Sequence, residues 1–228
     1  MTARTRGLVV AIDGPSGAGK STVGRALAAR LGYTYVDTGA MYRALTLKAI
    51  RAGLSPDTEG PLVALARGTL IDLEDEGRRV RLDGADVTAE IRSREVTGAS
   101  SRVSAHPGVR RDMVDRQRRL GAEGGVVLDG RDIGTAVFPD AEAKFYLDAD
   151  PRKRAGRRQA ELHAAGSEVG LEELEREIRA RDKADSTRAD SPLTRAADAT
   201  LLDTTELTAD EVVERMASVI AARQGSRG

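Results

Sequence analysis

Short apolar runs alternate along the chain with longer amphipathic stretches. Gly7–Asp13 (GLVVAID) is apolar and β-branched and ends at a glycine, as expected for a strand buried on both faces. From Lys20 to Leu31, Val23, Leu27, Ala28 and Leu31 recur on one helical face, and Gly32 stands where that helix should end. Further strand candidates are Tyr33–Val36, Val126–Asp129, Ala143–Leu147 and Ala199–Leu202, each short and mostly flanked by helical stretches. Such alternation predicts an α/β fold on a parallel sheet.

Two regions depart from this rhythm. Thr69–Val87 alternates at period two, with turn signals at Glu76-Gly77 and Asp83-Gly84, and reads as a small antiparallel insertion. Asp150-Pro151 is placed as an N-cap and first helical residue, opening a helix dense in Arg152, Lys153, Arg154, Arg157 and Arg158. After a break at Gly166–Gly170, a second charged helix from Leu171 to about Asp185 carries a thin apolar stripe of Leu174 and Ile178. With 228 residues, one domain over residues 1–228 with an insertion is favoured over two independent domains.

Composition removes several function classes. Lys+Arg 36 against Asp+Glu 36 leaves no overall field to attract nucleic acid or a membrane surface, so any phosphate binding must be local. Aromatic residues at 3% without tryptophan make a base-stacking platform hard to build. The absence of cysteine excludes disulfides and thiolate chemistry, and two histidines (His106 and His163) leave little for histidine metal sites. The start Met1–Arg6 is polar and the apolar run Leu8–Ile12 is too short for a leader or a span, so a cytoplasmic location is expected.

The segment Gly14-Pro15-Ser16-Gly17-Ala18-Gly19-Lys20-Ser21 satisfies G-x-x-x-x-G-K-[ST], between a strand and a helix as the motif requires. Glycines let backbone amides converge on phosphate oxygens, the helix aims its positive end at them, and Lys20 reaches between the β and γ phosphates. Ser21 is the natural Mg²⁺ ligand. Val126-Val127-Leu128-Asp129 has the apolar-run-plus-acid form of the second metal-binding element of such proteins, although an ordinary strand end shares that form. No N-K-x-D sequence is present, which argues against a GTPase.

Chemistry for a second substrate clusters after the other strands. In Asp37-Thr38-Gly39-Ala40-Met41-Tyr42-Arg43, Thr38 can donate to a phosphate and Arg43 can clamp one; the segment equally reads as a helix start capped by Asp37 or Thr38. Gly130-Arg131-Asp132-Ile133-Gly134-Thr135 follows Asp129, presenting two charges beside glycines or, alternatively, a tight turn with a solvated ion pair. Arg181, Asp185 and Arg188 are spaced to share one face if their helix persists that far.

Taken in order, GPSGAGKST, DTGAMYRALT, EIRSREV, GRDIGTAVFPDAEAKFYLDA and RDKADSTRADSPL resemble the bacterial cytidylate kinases over nearly the whole chain. The resemblance implies a P-loop three-layer αβα fold with a five-stranded parallel sheet, a substrate-binding insertion near residues 60–95 and a helical lid near 151–170. It implies a monomer that uses ATP and Mg²⁺ and acts on CMP and dCMP. Thr22 and Arg157 would join the loop in holding ATP. Thr38, Arg43 and Arg131 would hold the acceptor phosphate; Ser101, Arg110 and Asp132 would read cytosine; Asp185 and Arg188 would meet the ribose; Tyr42 would pack beside the nucleotide. Arg181 would bridge both phosphate chains, and Asp37 or Asp129 would reach Mg²⁺ directly or through water. Readings kept beside it are a kinase for UMP, dTMP, shikimate or dephospho-coenzyme A, a non-enzymatic ATP-binding module, and a nucleic-acid-binding ATPase.

Overall fold

All five residues of the first strand, β1 (Val9–Asp13), are buried, and its side chains enter two different cores. Val9 and Ala11 point into one, Val10 and Ile12 into the other, because successive side chains leave a strand on opposite faces. The computed structural model describes residues 7–164 and 166–225; Met1–Arg6, on which the leader argument partly rests, lie outside them.

The chain continues through α1 (Lys20–Leu31), β2 (Thr34–Asp37), α2 (Thr38–Arg51), α3 (Glu59–Arg67), β3 (Ile71–Glu74), β4 (Arg79–Leu82) and β5 (Ala85–Asp86). It then forms α4 (Arg94–Ala105), α5 (Pro107–Gly121), β6 (Val126–Gly130), β7 (Ala143–Asp148), α6 (Pro151–Ala164), α7 (Leu171–Thr187), β8 (Thr200–Asp203) and α8 (Ala209–Gly225). The main sheet has five strands in the order β2-β6-β1-β7-β8, with every pairing parallel. One face carries α1 and α8 through Val23, Leu27, Val213 and Met216. The other carries α2, α3 and α5 through Met41, Leu45, Leu62 and Met113, completing three layers.

The period-two region forms the three-stranded antiparallel sheet β3-β4-β5. Its Val80 and Leu82 pack with Val87 and Ile91 on Ala40, Ala44 and Leu47 of α2. The first core and this sheet thus bury opposite sides of α2. Pro151 opens α6, and Asp150 Oδ1 accepts from the amides of Arg152 (2.9 Å) and Lys153 (3.2 Å), the cap the sequence predicts. Ala155 and Leu162 of α6 pack on Leu174 and Ile178 of α7. Helix α7 stops at Thr187, so Arg188 stands just past it in extended backbone rather than on its face. Among the described residues no helix is long and apolar enough to cross a membrane.

Sheet order decides where a ligand can sit. Strand β1 lies between β6 and β7, and register sets Asp13 beside Gly130 and Asp37 beside Asp129. The carboxyl ends of β1, β2 and β6 therefore open at one edge, where the chain leaves toward α1, toward α2 and toward the Arg131 turn.

Candidate active site

The donor side begins where β1 runs into Gly14. Its φ is +145°, and a Cβ there would lie 2.0 Å from the Leu147 carbonyl oxygen, so only glycine fits. Gly19 caps α1 without any side-chain hydrogen bond, which leaves the first helical amides to an incoming anion. Lys20 is buried and its Nζ donates to the Pro15 carbonyl at 2.6 Å. Burial, and next the Arg131 charge, push its pKa down to about 7. A phosphate beside it would restore the charge. The outer rim of the loop is tied to α6 and α7: Arg154 Nη1 donates to the Ser16 carbonyl (2.9 Å) and pairs with Asp182 (2.6 Å), while Ser16 N–H donates to Asp182 (3.4 Å).

Beside the loop, Ser21 Oγ donates to Asp129 Oδ2 at 3.1 Å, and Tyr35 OH donates to Asp129 Oδ1 at 2.6 Å. Burial, then the neighbouring Asp37 carboxylate, raise the Asp129 pKa to about 6. Asp37, Asp129 and Ser21 offer hard oxygen donors only. No cluster of three or more His, Cys, Asp or Glu occurs among the described residues. That donor set fits Mg²⁺, which keeps much of its own water and needs few protein ligands. A divalent cation would also relieve the repulsion between the two carboxylates.

Across the cleft lie side chains from four further segments. Asp37 Oδ1 caps α2 by accepting from Ala40 N (2.7 Å), while its Oδ2 accepts from Arg43 (3.2 Å), so the capping reading and the cleft reading of this segment hold together. Asp132 is buried between two arginines, hydrogen-bonded to Arg110 and 3.5 Å from Arg188. Arg131 Nε donates to Asp185 at 2.9 Å. Burial opposes the Asp185 charge, but Arg131 and Arg181 outweigh it and hold the carboxyl below its ordinary range. Burial, then Arg131, bring Arg181 down to about 10. The Arg110 guanidinium lies 5.7 Å from the centre of the Tyr42 ring.

The charges lining the cleft do not balance. Lys20 and five arginines (Arg43, Arg110, Arg131, Arg181, Arg188) line the cleft with the four carboxylates Asp37, Asp129, Asp132 and Asp185. Cations exceed anions by two. The Nε atoms of Arg43, Arg110 and Arg181 and one terminal nitrogen of Arg188 are buried without a hydrogen-bond partner. Unsatisfied buried donors of this kind call for an anionic ligand.

The structure brings Lys20, Ser21, Thr38, Tyr42, Arg43, Arg110, Arg131, Asp132, Arg181, Asp185 and Arg188 to one cleft. It corrects others. Ser101 does not line the cleft, whereas Ser100 and Ser104, one turn apart on α4, do. Arg157 is spent on the carbonyls of Thr204 (2.5 Å) and Thr205 (3.5 Å) and pins the loop after β8. Thr22 is exposed on the first turn of α1, outside the cleft wall. The antiparallel sheet packs on α2 through Val80 and Leu82, and no residue between 44 and 99 lines the cleft.

Asp13 was not singled out by sequence. Buried at the end of β1, it accepts from Ile133 N and Gly134 N, both at 2.8 Å, and burial raises its pKa to about 7 despite those bonds. It therefore ties the phosphate loop's own strand to the turn bearing Arg131 and Asp132. That turn widens to five-residue spacing, with Phe138 N donating to Ile133 O at 2.7 Å, a form of helix found often at functional sites. The signal was present: Asp13 ends an apolar run just as Asp129 does.

Comparison with known proteins agrees with this geometry. The sequence model of the family described as cytidylate kinase matches residues 10–222. A protein named cytidylate kinase from Syntrophotalea carbinolica is 52% identical over 96% of this chain and 94% of its own length. Another of that name, from Desulfitobacterium hafniense, is 51% identical over 94% of this chain and 93% of its own. Among solved structures, a shikimate kinase from Bacteroides thetaiotaomicron superposes with a TM-score of 0.51 at 15% identity, covering 94% of this chain and 98% of its own, which bears on the fold alone. With the family match spanning almost the full length and relatives about half identical over nearly all of it, the chain belongs to the cytidylate kinase family.

Proposed function

We propose that the protein transfers the γ-phosphoryl group of ATP to CMP and dCMP, giving ADP and CDP or dCDP. The observation that carries this reading is the buried Asp132 held between Arg110 and Arg188, across the cleft from Lys20 and Ser21. Cytosine carries an N4 amino donor beside O2 and N3 acceptors, so a carboxylate flanked by guanidinium groups complements its edge. Uracil has a carbonyl at that position and would be repelled. Ser100 and Ser104 line the same cleft and can add hydroxyl contacts to the base.

A CMP phosphate oxygen attacks the γ-phosphorus in line with the departing ADP oxygen. No general base is needed, because a phosphate monoester with second pKa near about 6 is already mostly dianionic at neutral pH. The task of the protein is to align two anions and offset their charge. Lys20, Arg131 and Arg181 serve that purpose, and Thr38 and Arg43 orient the acceptor phosphate. Ser21 with Asp129 and Asp37 would hold Mg²⁺. When bound, the ion would offset negative charge on the triphosphate. The α6–α7 pair, tied to Ser16 through Arg154 and Asp182, is suited to act as a lid that excludes water as a competing acceptor.

An ADP-release assay with CMP, dCMP, UMP, dTMP and shikimate as acceptors tests the reading. A strong preference for CMP and dCMP is expected; equal turnover with UMP, or ATP binding with no acceptor-stimulated turnover, would overturn it.

A further inference from the structure

The antiparallel sheet does not line the cleft, yet one of its turns reaches the metal-side carboxylate through a single side chain. Between β3 and β4 the chain reverses through Asp75, Glu76 and Gly77, with φ of 50°, 57° and 72°. This turn lies against Tyr35 of β2. A Cβ on Gly77 would come within 2.9 Å of Tyr35 Cδ1, and one on Gly24 of α1 within 2.9 Å of Cε2. The Arg25 guanidinium lies 5.1 Å from the ring centre, and its Nε donates to the Glu76 carbonyl at 3.4 Å. The ring is thus confined between α1 and the turn, and only 1% of the residue is exposed.

At the far end of that ring the hydroxyl donates to Asp129 Oδ1 at 2.6 Å, while Ser21 holds Oδ2 at 3.1 Å. A phenol carries its proton at neutral pH, so the hydroxyl is the donor in this bond. A carboxylate with one oxygen on each of two hydroxyls has its plane fixed. The ring can tilt only if α1 or the turn gives way.

We propose that the β3–β4 turn and Tyr35 form a positioning device: Gly77 closes on the ring, and the hydroxyl holds Asp129 in the orientation that, with Ser21, receives the Mg²⁺ of the bound nucleotide. Tyr35 touches no substrate in this arrangement and acts through Asp129. The inference rests on the Mg²⁺-dependent kinase reading. It assigns the antiparallel sheet a task besides supporting α2, namely tuning the donor side from outside the cleft.

Calorimetric titration with the β,γ-imido analogue of ATP, in EDTA and in Mg²⁺, tests it on the intact chain. Tyr35→Phe keeps the ring and the packing and removes the hydroxyl. The expected result is an unchanged affinity in EDTA and an about tenfold smaller gain on adding Mg²⁺, the lower end of what losing a hydrogen bond to a metal ligand costs. The Mg²⁺ concentration for half-maximal rate should rise in parallel while KM for CMP stays put. Gly77→Ala should shift the Mg²⁺ gain in the same direction, and the double variant should lose no more than Tyr35→Phe alone. A wild-type Mg²⁺ gain in Tyr35→Phe would overturn the role of the hydroxyl. Full additivity in the double variant would overturn the route through the turn. A wild-type protein that transfers phosphate to CMP yet binds nucleotide equally in EDTA would overturn the inference alone, whereas one with no transfer to any acceptor would overturn the kinase reading beneath it.

Discussion

Whereas the donor half of the cleft comes from eight consecutive residues whose backbone and helix start do the work, the acceptor half is gathered from side chains spread between Thr38 and Arg188. In the first, Gly14 and Gly19 shape the loop and only Lys20 and Ser21 contribute functional side chains. In the second, nearly every arginine is tied to a carboxylate: Arg43 to Asp37, Arg110 and Arg188 to Asp132, Arg131 to Asp185. Backbone geometry needs no partner to hold it. Buried guanidinium groups do, and breaking one such pair leaves an uncompensated charge. The donor half should therefore fail by losing chemistry, and the acceptor half by losing discrimination and alignment.

The largest expected effect lies on the donor side. Lys20→Ala removes the cation nearest the migrating phosphoryl group and should lower kcat about 10²–10³-fold, comparable with losing one preorganised transition-state donor. Its fold should survive, because among the described residues Nζ donates to a carbonyl of its own loop. A folded variant with near-normal turnover would break the comparison at its strongest point. On the acceptor side, Asp132→Ala should narrow the CMP over UMP ratio of kcat/KM by about 10–100-fold, within the range for a lost base-reading contact. An unchanged ratio would remove Asp132 from recognition.

A pH experiment sharpens the contrast. Burial and the Arg131 charge depress the Lys20 pKa to about 7, and the charge of a bound triphosphate should raise it. Nucleotide binding then takes up a proton above pH 7, and affinity should fall with rising pH by at most about tenfold per unit. Calorimetry at pH 8 in buffers of different ionisation enthalpy should detect this uptake in the wild type and not in Lys20→Met. The smallest expected effect belongs to the side chain joining the halves. Asp13→Asn sets an amide against the Ile133 or Gly134 N–H and loosens the Arg131 turn, so KM for CMP should rise about three- to tenfold with ATP affinity unchanged. A matching loss in ATP affinity would mean that Asp13 serves the donor loop instead.

Much of this molecule was legible before folding. The five strands of the main sheet fall within two residues of the apolar runs that predict them, and the period-two region is the antiparallel sheet. Asp150-Pro151 caps α6 as read, and the two turn signals of the insertion stand where the chain reverses. These succeed because periodicity, capping and glycine conformation are local properties, carried by neighbours in the chain.

What the local pattern leaves open is which face of an element meets which neighbour. Ser100 and Ser104 rather than Ser101 border the cleft because the packing of α4 on α2 and α5 selects that face. Arg157 reads as a ligand arginine until the loop after β8 is folded against it and claims its donors. Arg188 reaches Asp132 only because α7 ends one residue earlier. Asp13 and Tyr35 look like ordinary strand residues until β6 is paired beside both of their strands. The phosphate loop was readable from its own eight contiguous residues, which carry their own geometry. The acceptor pocket was decided by tertiary structure, because its charges are brought within bonding distance only when the carboxyl ends of β1, β2 and β6 share one sheet edge and α5 and α7 close over it.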